Sequence, residues 1–236
     1  MMGRVFAVCS GSGGVGKTTV ALSLAVCASK AGKQTILLDA SGPARSADLI
    51  LGLSGAVSLD MADVAAGDAT MEAALYPAVR YPLLRFACAS LHDEVTAPEL
   101  SGTILALHSM CDVLVIDLPT GQAALEERML TGEDMRIVVL RPDDASIRSA
   151  EHLLGGALPS GAQSMLLLNR IQPALLRAGQ QYDDQTVQMT LDCPVLGAIP
   201  EDRTIPLSAA KGRPAIECDG PAWTALSRAL SPLVGP

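Results

Sequence analysis

The sequence predicts one α/β domain over residues 1–236, built as a mostly parallel twisted sheet with helices on both faces. Short apolar runs, which suit strands buried on both faces, alternate with stretches whose apolar residues recur at helical spacing. Hydrophobic residues make up 49% and charged residues 18% of the chain, which is enough apolar side chain to fill a large core. Neither a Pro- or Ser-rich linker nor an internal repeat divides the chain.

The first half of the chain supplies four predicted strands and three helical patterns. The run Arg4–Cys9 is apolar after its first residue and precedes a glycine-rich turn, which indicates a buried strand. Helical spacing continues through Thr18–Ala31, and Gly32 ends that helix. The run Gln34–Leu38 is a second strand that ends at Asp39. Apolar runs predict two more strands, Leu84–Ala89 and Val113–Ile116, with helical patterns near Ala44–Leu53 and Met71–Leu75.

The second half repeats this alternation of strands and helices. It predicts strands at Arg136–Leu140, Met165–Leu168 and Val195–Ile199, with helical patterns near Ala123–Leu130, Ala145–Leu154 and Ala222–Leu230. Asp143 and Asp144 are predicted to cap the helix that begins at Ala145, and Pro232 is predicted to end the last helix. The segments Pro159–Ala162 and Ala178–Gln188 are predicted as loops or a short surface helix.

Composition restricts the compartment and the partners. The formal charge is −8 and no basic block is present, so the sequence carries no strong nucleic-acid signal. The six cysteines form no C-x-x-C pair and most lie in apolar runs, so we expect buried thiols rather than metal ligands or disulfides. A signal-peptide pattern and an apolar stretch of about 18 residues are both absent, so we expect a cytoplasmic protein.

Residues 11–18 carry the clearest chemical signal. They read Gly-Ser-Gly-Gly-Val-Gly-Lys-Thr, a full match to G-x-x-x-x-G-K-[ST], between a predicted strand and a predicted helix. Such glycines let backbone N–H groups surround phosphate oxygens, and the helix N-terminus favours negative charge. Lys17 would reach the β- and γ-phosphates, and the Thr18 hydroxyl would hold Mg²⁺.

The same glycines also spell G-x-G-x-x-G, the pattern of a dinucleotide-binding loop, and Asp39 ends the next strand as that fold requires. A dinucleotide-binding loop has no use for the Lys-Thr pair that follows the last glycine, whereas a phosphate-loop NTPase needs both residues. A second acid, Asp117, ends the apolar run that begins at Val113, where an NTPase holds Mg²⁺ with a carboxylate. The sequence therefore favours nucleoside triphosphate binding.

The glycine doublet Gly13-Gly14 before Val15-Gly16-Lys17-Thr18-Thr19 resembles the deviant Walker A loop of the MinD/ParA family of P-loop ATPases, and the resemblance extends from residue 4 to about 215. Asp39–Gly52 and Asp117–Gly121 are similar to the two switches of the family. The other segments that resemble the family are Asp60–Thr70, the late strands ending near Asn169 and Asp202, and Gly212–Pro214.

The resemblance implies a site for ATP or ADP with Mg²⁺. The expected nucleotide contacts are Gly11, Ser12, Gly13, Gly14, Val15, Gly16, Lys17, Thr18 and Thr19 in the loop, with Asn169, Arg170, Pro200, Glu201 and Asp202 around the adenine. The expected metal-side residues are Thr18, Asp39 and Asp117, and the expected catalytic positions are Lys17, Asp39 and Ser41. For Asn169 a second interpretation stays open, that it is an ordinary polar residue at the end of a strand.

Two residues depart from the family pattern at this site. The signature lysine, which in the family reaches the phosphates of the other subunit in an ATP-bound dimer, falls on Ser12, which carries no charge. The family acid that orients the attacking water falls on Ser41. We therefore expect nucleotide binding with slow hydrolysis, and a homodimer stays an open alternative.

The C-terminal helix also departs from the membrane-docking helix of MinD. Trp223, Leu226 and Leu230 share one face, but Arg228 is the only cation of the helix. A helix that lies on a membrane surface has a charged polar face, so we expect this one to pack on the sheet.

Several functions fit the resemblance. The first is a MinD/ParA-like ATP-binding switch that positions the division septum or polar machinery, with a protein partner that reads the nucleotide state and recruits the switch to the membrane or cell pole. The second is a catalytically degenerate scaffold for pilus assembly, similar to CpaE/TadZ proteins, which also tend to lack the signature lysine. A metal-cofactor maturation ATPase and a plasmid-partition ATPase are less well supported, because the chain has no cysteine cluster near the switches and no basic DNA-binding extension.

Overall fold

The computed structural model describes residues 3–92, 97–121, 134–156 and 162–235. Its eight strands join one sheet. In chain order they are β1 Arg4–Cys9, β2 Thr35–Asp39, β3 Tyr76–Pro77, β4 Leu84–Cys88, β5 Val113–Asp117, β6 Met135–Leu140, β7 Gln163–Ile171 and β8 Val195–Pro200. Every predicted strand is present within a few residues of its predicted bounds. The two-residue β3 was not predicted, because it does not lie in an apolar run.

The sheet is mostly parallel, as predicted. Its strand order is β3-β4-β2-β5-β1-β6-β7-β8, and among the described strands only the β3–β4 pair is antiparallel. The first strand is central, between β5 and β6. In the pairing of β2 with β5, Asp39 lies opposite Asp117. Because parallel strands present their carboxyl ends at one edge, the segments after β1, β2 and β5 meet at that edge.

Helices cover both faces of the sheet. The described α-helices are α1 Lys17–Lys30, α2 Ala47–Ile50, α3 Met61–Ala66, α4 Ala97–His108, α5 Asp144–Leu154, α6 Pro173–Arg177, α7 Asp184–Leu191, α8 Thr204–Ala209 and α9 Pro221–Val234. Side chains of β1 alternate between two apolar layers: Phe6 and Val8 belong to the layer with α1 and α9, and Val5 and Ala7 belong to the layer with α4 and α5. The predicted fold class is confirmed.

Helix bounds follow the predictions less closely than strand bounds. The predicted helix Met71–Leu75 is wrong, because that segment forms turns; a helix begins earlier, at Met61, where Asp60 and Asp63 form a reciprocal capping box. Most of Ala44–Leu53 is also not helical, and only α2 forms within it. Asp143 caps α5 as predicted, by accepting a hydrogen bond from the Ser146 N–H at 2.9 Å. The predicted helix Ala123–Leu130 lies outside the described residues.

The last helix runs to Val234, so the prediction that Pro232 ends it is wrong. Proline removes one backbone hydrogen bond from a helix. Leu226, Leu230 and Val234 are buried, and the burial of each such side chain contributes about 1.5–3 kcal/mol, which offsets that loss. The helix packs on the sheet as predicted, while Trp223 is 43% exposed. Of the helices described, none combines the length and apolar character needed to cross a membrane.

Candidate functional site

The glycine-rich loop joins β1 to α1 at the edge where the parallel strands end. Gly16 directly precedes α1 and has a φ of 98°, and Gly14 has a φ of 71°. Both angles lie in the left-handed region that favours glycine. This turn brings the first N–H groups of α1, which have no partners inside the helix, to the end of the loop.

Gly16 also leaves room for Asn169 of β7. A Cβ atom on Gly16 would overlap the Nδ2 atom of Asn169. That Nδ2 donates a hydrogen bond to the carbonyl oxygen of Val15 at 2.7 Å, and Asn169 is buried. The Asn169 amide therefore holds the helix end of the loop.

The start of the loop is held by α5. A Cβ atom on Gly11 would lie 2.5 Å from the carbonyl oxygen of Ser149, so the two backbones are in close contact. A Cβ atom on Gly13 would meet nothing within 4 Å among the described residues. The loop is thus held at both ends and open in the middle, where Ser12 and Gly13 lie.

The side chain of Lys17 is paired with Asp117. Its Nζ lies 2.7 Å from Asp117 Oδ1, and the two side chains are 9% and 0% exposed. The Ser41 hydroxyl donates to the other oxygen of the same carboxylate at 3.5 Å. Three residues predicted at the site therefore meet, although Lys17 and Asp117 are far apart in sequence.

Asp39 completes a buried group of charges. It lies beside Asp117 across the β2–β5 pair, and its carboxylate accepts hydrogen bonds from the Ser41 N–H at 2.9 Å and the Ala47 N–H at 3.4 Å. Burial, and then the charge of Asp117, raise the pKa of Asp39 above its usual range. Asp117 is paired with Lys17, whereas the carboxylate of Asp39 accepts from two backbone N–H groups, so a second cation beside the two carboxylates is electrostatically favoured.

A cavity of about 560 Å³, which we call the phosphate cavity, lies beside the loop. Its described lining residues are Ser10, Gly14, Gly16, Lys17, Thr18, Thr19, Ala40, Ser41, Gly42, Ser46, Pro119, Thr120 and Arg170. The charged members of this set, Lys17 and Arg170, are both cations. Each of the two is near a carboxylate, Lys17 near Asp117 and Arg170 near Glu201, so an anion that enters the cavity would compete with these acids for the cations.

A second cavity of about 250 Å³, which we call the base cavity, shares Gly16, Thr19 and Arg170 with the first. Its other lining residues are Asn169, Pro200, Glu201, Asp202, Ile205, Pro206 and Ala209. The residues predicted around the adenine therefore all line this one cavity. Its mixture of apolar groups and a few polar side chains suits a flat, apolar ligand with polar edges.

Arg170 lies between the cavities in an unusual backbone conformation. Its φ is 59°, which is uncommon for a residue with a Cβ atom. The buried Gln181 holds this backbone, because its Nε2 donates to the Arg170 carbonyl oxygen at 3.1 Å and its Oε1 accepts from the Gln172 N–H at 2.8 Å. The Arg170 side chain is 46% exposed and lies 3.9 Å from Glu201.

Most of the predicted site residues line one of the two cavities. Gly11, Ser12, Gly13 and Val15 belong to the loop but do not line either cavity. The lining residues that the sequence analysis did not name individually are Ser10, Ala40, Gly42, Ser46, Pro119, Thr120, Ile205, Pro206 and Ala209, and it did not name Gln181 either. Ser10, Ala40, Gly42, Pro119 and Thr120 follow a strand directly or nearly so, and that position at the carboxyl edge is the signal that could have identified them.

A magnesium ion fits this donor set only together with phosphate. Within the described ranges, no three His, Cys, Asp or Glu side chains are arranged to hold a metal ion. Mg²⁺ is usually bound by one or two carboxylates, water and substrate phosphates rather than by an all-protein cage. The adjacent carboxylates of Asp39 and Asp117, with the Thr18 hydroxyl on the cavity wall, match that usage.

Sequence comparisons agree with this geometry. The model of the CobQ/CobB/MinD/ParA nucleotide binding domain matches residues 6–215. The septum site-determining protein MinD of Synechocystis sp. is 31% identical over 220 residues, which cover 91% of this chain and 82% of that protein. The septum site-determining protein MinD of Helicobacter pylori is 29% identical over 245 residues, which cover 99% of this chain and 91% of that protein.

Solved structures share the fold. The MinC:MinD cell division protein complex of Aquifex aeolicus aligns with a TM-score of 0.83 at 24% identity, over 99% of this chain and 96% of that chain. The MinD of Pyrococcus horikoshii, complexed with Mg-ADP, aligns with a TM-score of 0.80 at 24% identity, over 98% of this chain and 96% of that chain. This chain is thus a member of the CobQ/CobB/MinD/ParA nucleotide-binding domain family, and its relatives at about 30% identity include MinD proteins.

Proposed function

We propose that this protein binds Mg-ATP and acts as a MinD-like switch whose nucleotide state governs its binding to a partner. The observation that carries the proposal is the junction of the two cavities at Gly16, Thr19 and Arg170. One cavity adjoins a phosphate loop and the other is lined by the residues expected around a base. A nucleotide needs this arrangement, because its phosphates and base are joined through a ribose.

Each polar group near the loop has a task in this proposal. Lys17 would exchange Asp117 for the phosphate oxygens. The Thr18 hydroxyl and the carboxylates of Asp39 and Asp117 would hold Mg²⁺, which when bound supplies positive charge to the phosphates. The base cavity would hold the adenine.

We expect slow ATP hydrolysis. Ser41 offers a hydroxyl, already directed to Asp117, where a carboxylate would orient the attacking water. Ser12 adds no charge to the loop. The absence of a cation that stabilises the transition state costs on the order of 10³-fold or more in the rate of phosphoryl transfer.

The cellular role would be to position the division septum or polar machinery. In Aquifex aeolicus, MinC and MinD form a complex; we expect a protein partner of this kind here, which would recruit a cytoplasmic switch to the membrane or cell pole. Burial of Leu226 and Leu230 gives no support to membrane docking through α9. The second candidate is a catalytically degenerate localisation scaffold, which Ser12 and Ser41 favour.

Calorimetric titration with Mg-ATP tests the proposal. The wild-type protein should bind, and Lys17→Ala should lose measurable binding because the loop loses its cation. Since that variant leaves the buried Asp117 unpaired, Lys17→Met/Asp117→Asn is measured as a second variant with both charges removed. Lys211→Ala, at an exposed residue outside both cavities, is the control. Unchanged ATP affinity in the folded Lys17 variants would overturn the proposal.

Phosphate release under steady-state conditions separates the switch from the scaffold. We expect slow turnover in the wild type and faster turnover in Ser12→Lys/Ser41→Asp, with little change in ATP affinity. No turnover in either protein would favour the scaffold. Brisk wild-type turnover that the two substitutions leave unchanged would show that the catalytic positions are misassigned.

A further inference from the structure

Ser10, the residue that follows β1, lines the phosphate cavity and has a buried hydroxyl without a hydrogen-bond partner among the described residues. Ser10 is 1% exposed. Buried polar groups in folded proteins are nearly always paired, because an unpaired one loses its hydrogen bonds to water without replacement. We infer that Ser10 binds the terminal phosphate of the bound nucleotide through this hydroxyl. The inference rests on the proposed function and extends it to a residue before the glycine loop.

The position of Ser10 distinguishes it from the other unpaired polar atoms in the described part of the chain. Those atoms are Tyr81 OH and Asp202 Oδ2. Tyr81 lines neither cavity, and Asp202 Oδ2 packs against Gly220 at the start of the last helix. Of the three, Ser10 alone lines the phosphate cavity, whose charged lining residues are both cations.

Ser10 lines the phosphate cavity but not the base cavity. The two cavities join at Gly16, Thr19 and Arg170. The Ser10 carbonyl oxygen instead accepts a hydrogen bond from the Gly121 N–H at 2.9 Å, which places Ser10 beside the segment that follows Asp117. The phosphate farthest from the base is the one that would reach this segment. The Ser10 hydroxyl should therefore contact the γ-phosphate of ATP, which ADP lacks.

The affinities for Mg-ATP and Mg-ADP test this assignment in the full-length protein. Ser10→Ala should weaken ATP binding about 10- to 100-fold, the range for a hydrogen bond to a charged group, and change ADP binding less than about 2-fold. Ser23→Ala is the matched control. Ser23 is equally buried, but its hydroxyl already donates to the Thr19 carbonyl oxygen at 2.7 Å. Its removal should leave the ratio of the two affinities unchanged.

Thermal unfolding gives a readout that needs no turnover. Without nucleotide, Ser10→Ala should have a Tm equal to or above that of the wild type, because an unpaired buried hydroxyl is removed. Ser23→Ala should have a lower Tm, because a made hydrogen bond is lost. The rise in Tm on adding ATP should shrink in Ser10→Ala, while the rise on adding ADP should not.

The outcomes separate this inference from the proposed function. If the wild type binds both nucleotides and Ser10→Ala changes neither affinity, or weakens both equally, the γ-phosphate contact is wrong and the proposed function stands. If the wild type binds neither nucleotide, the proposed function fails and the inference fails with it.

Discussion

Replacing Gly16 by alanine should destabilise the protein for two separable reasons. The φ of 98° costs a residue with a Cβ atom about 1–2 kcal/mol. The new Cβ also overlaps Asn169 Nδ2, so the amide must leave the Val15 carbonyl oxygen, and a buried unpaired amide costs about 1–3 kcal/mol. The free energy of unfolding should therefore fall by about 2–5 kcal/mol.

The variant Asn169→Ala separates the two terms. Alone it loses the hydrogen bond to Val15, at a cost of about 1–3 kcal/mol. In Gly16→Ala/Asn169→Ala the overlap has been removed, so the glycine substitution adds only the backbone cost. The double variant should thus be about 1–3 kcal/mol more stable than the sum of the single effects predicts.

Urea unfolding of the four proteins without nucleotide, followed by circular dichroism, measures these free energies, with equal m-values as the test of comparability. Gly32→Ala is the control for the backbone cost, because Gly32 has a φ of 81° and its Cβ would meet nothing within 4 Å among the described residues. Additivity of the two substitutions within about 0.5 kcal/mol would refute the contact between the loop and Asn169.

Two further predictions concern charge. The pKa of Asp39 is raised by burial and by Asp117, so the folded state binds this proton more tightly than the unfolded state. The free energy of unfolding of the wild type should therefore rise as pH falls through the folded-state pKa toward 3.8, the ordinary value. Asp39→Asn should lack this rise. Identical profiles of urea midpoint against pH for the wild type and Asp39→Asn would contradict the prediction. Light scattering should show little change in wild-type mass on adding ATP, and an ATP-dependent dimer for Ser12→Lys. An ATP-dependent dimer in the wild type would instead indicate that another cation, such as Arg45, supplies the positive charge that Ser12 lacks.

The sheet could be predicted because its strands are buried on both faces. Every residue from Val113 to Asp117 is buried, so the apolar run has no polar interruption to obscure it. Helix α4 had no such signal: Ile104 and Leu107 are buried while Leu105 between them is 66% exposed, which leaves a short apolar stripe. The bounds of short helices such as α3 depend on capping and turn residues. These patterns span only a few positions, so a prediction from sequence easily puts the helix in the wrong place.

The site could be predicted where it follows a loop pattern or the family resemblance. The loop match identified Lys17 and Thr18, and the resemblance supplied five of the residues that line the base cavity, but not Ile205, Pro206 and Ala209. Gln181 was missed, because its part is to hold the backbone of Arg170 through a contact that the chain's folding creates. The pairing of Lys17 with Asp117 likewise depends on the neighbouring positions of β1 and β5 in the sheet.

The pairing of Lys17 with Asp117 also bears on how fast a nucleotide can enter. The protein carries a formal charge of −8 and ATP is an anion, so the long-range field opposes their encounter. Lys17 adds little attraction, because a carboxylate neutralises it and the protein covers it. Arg170 is nearly half exposed at the junction of the cavities, but Glu201 offsets part of its charge. Added salt screens the repulsion, so the association rate should increase with ionic strength, opposite in sign to an electrostatically steered encounter.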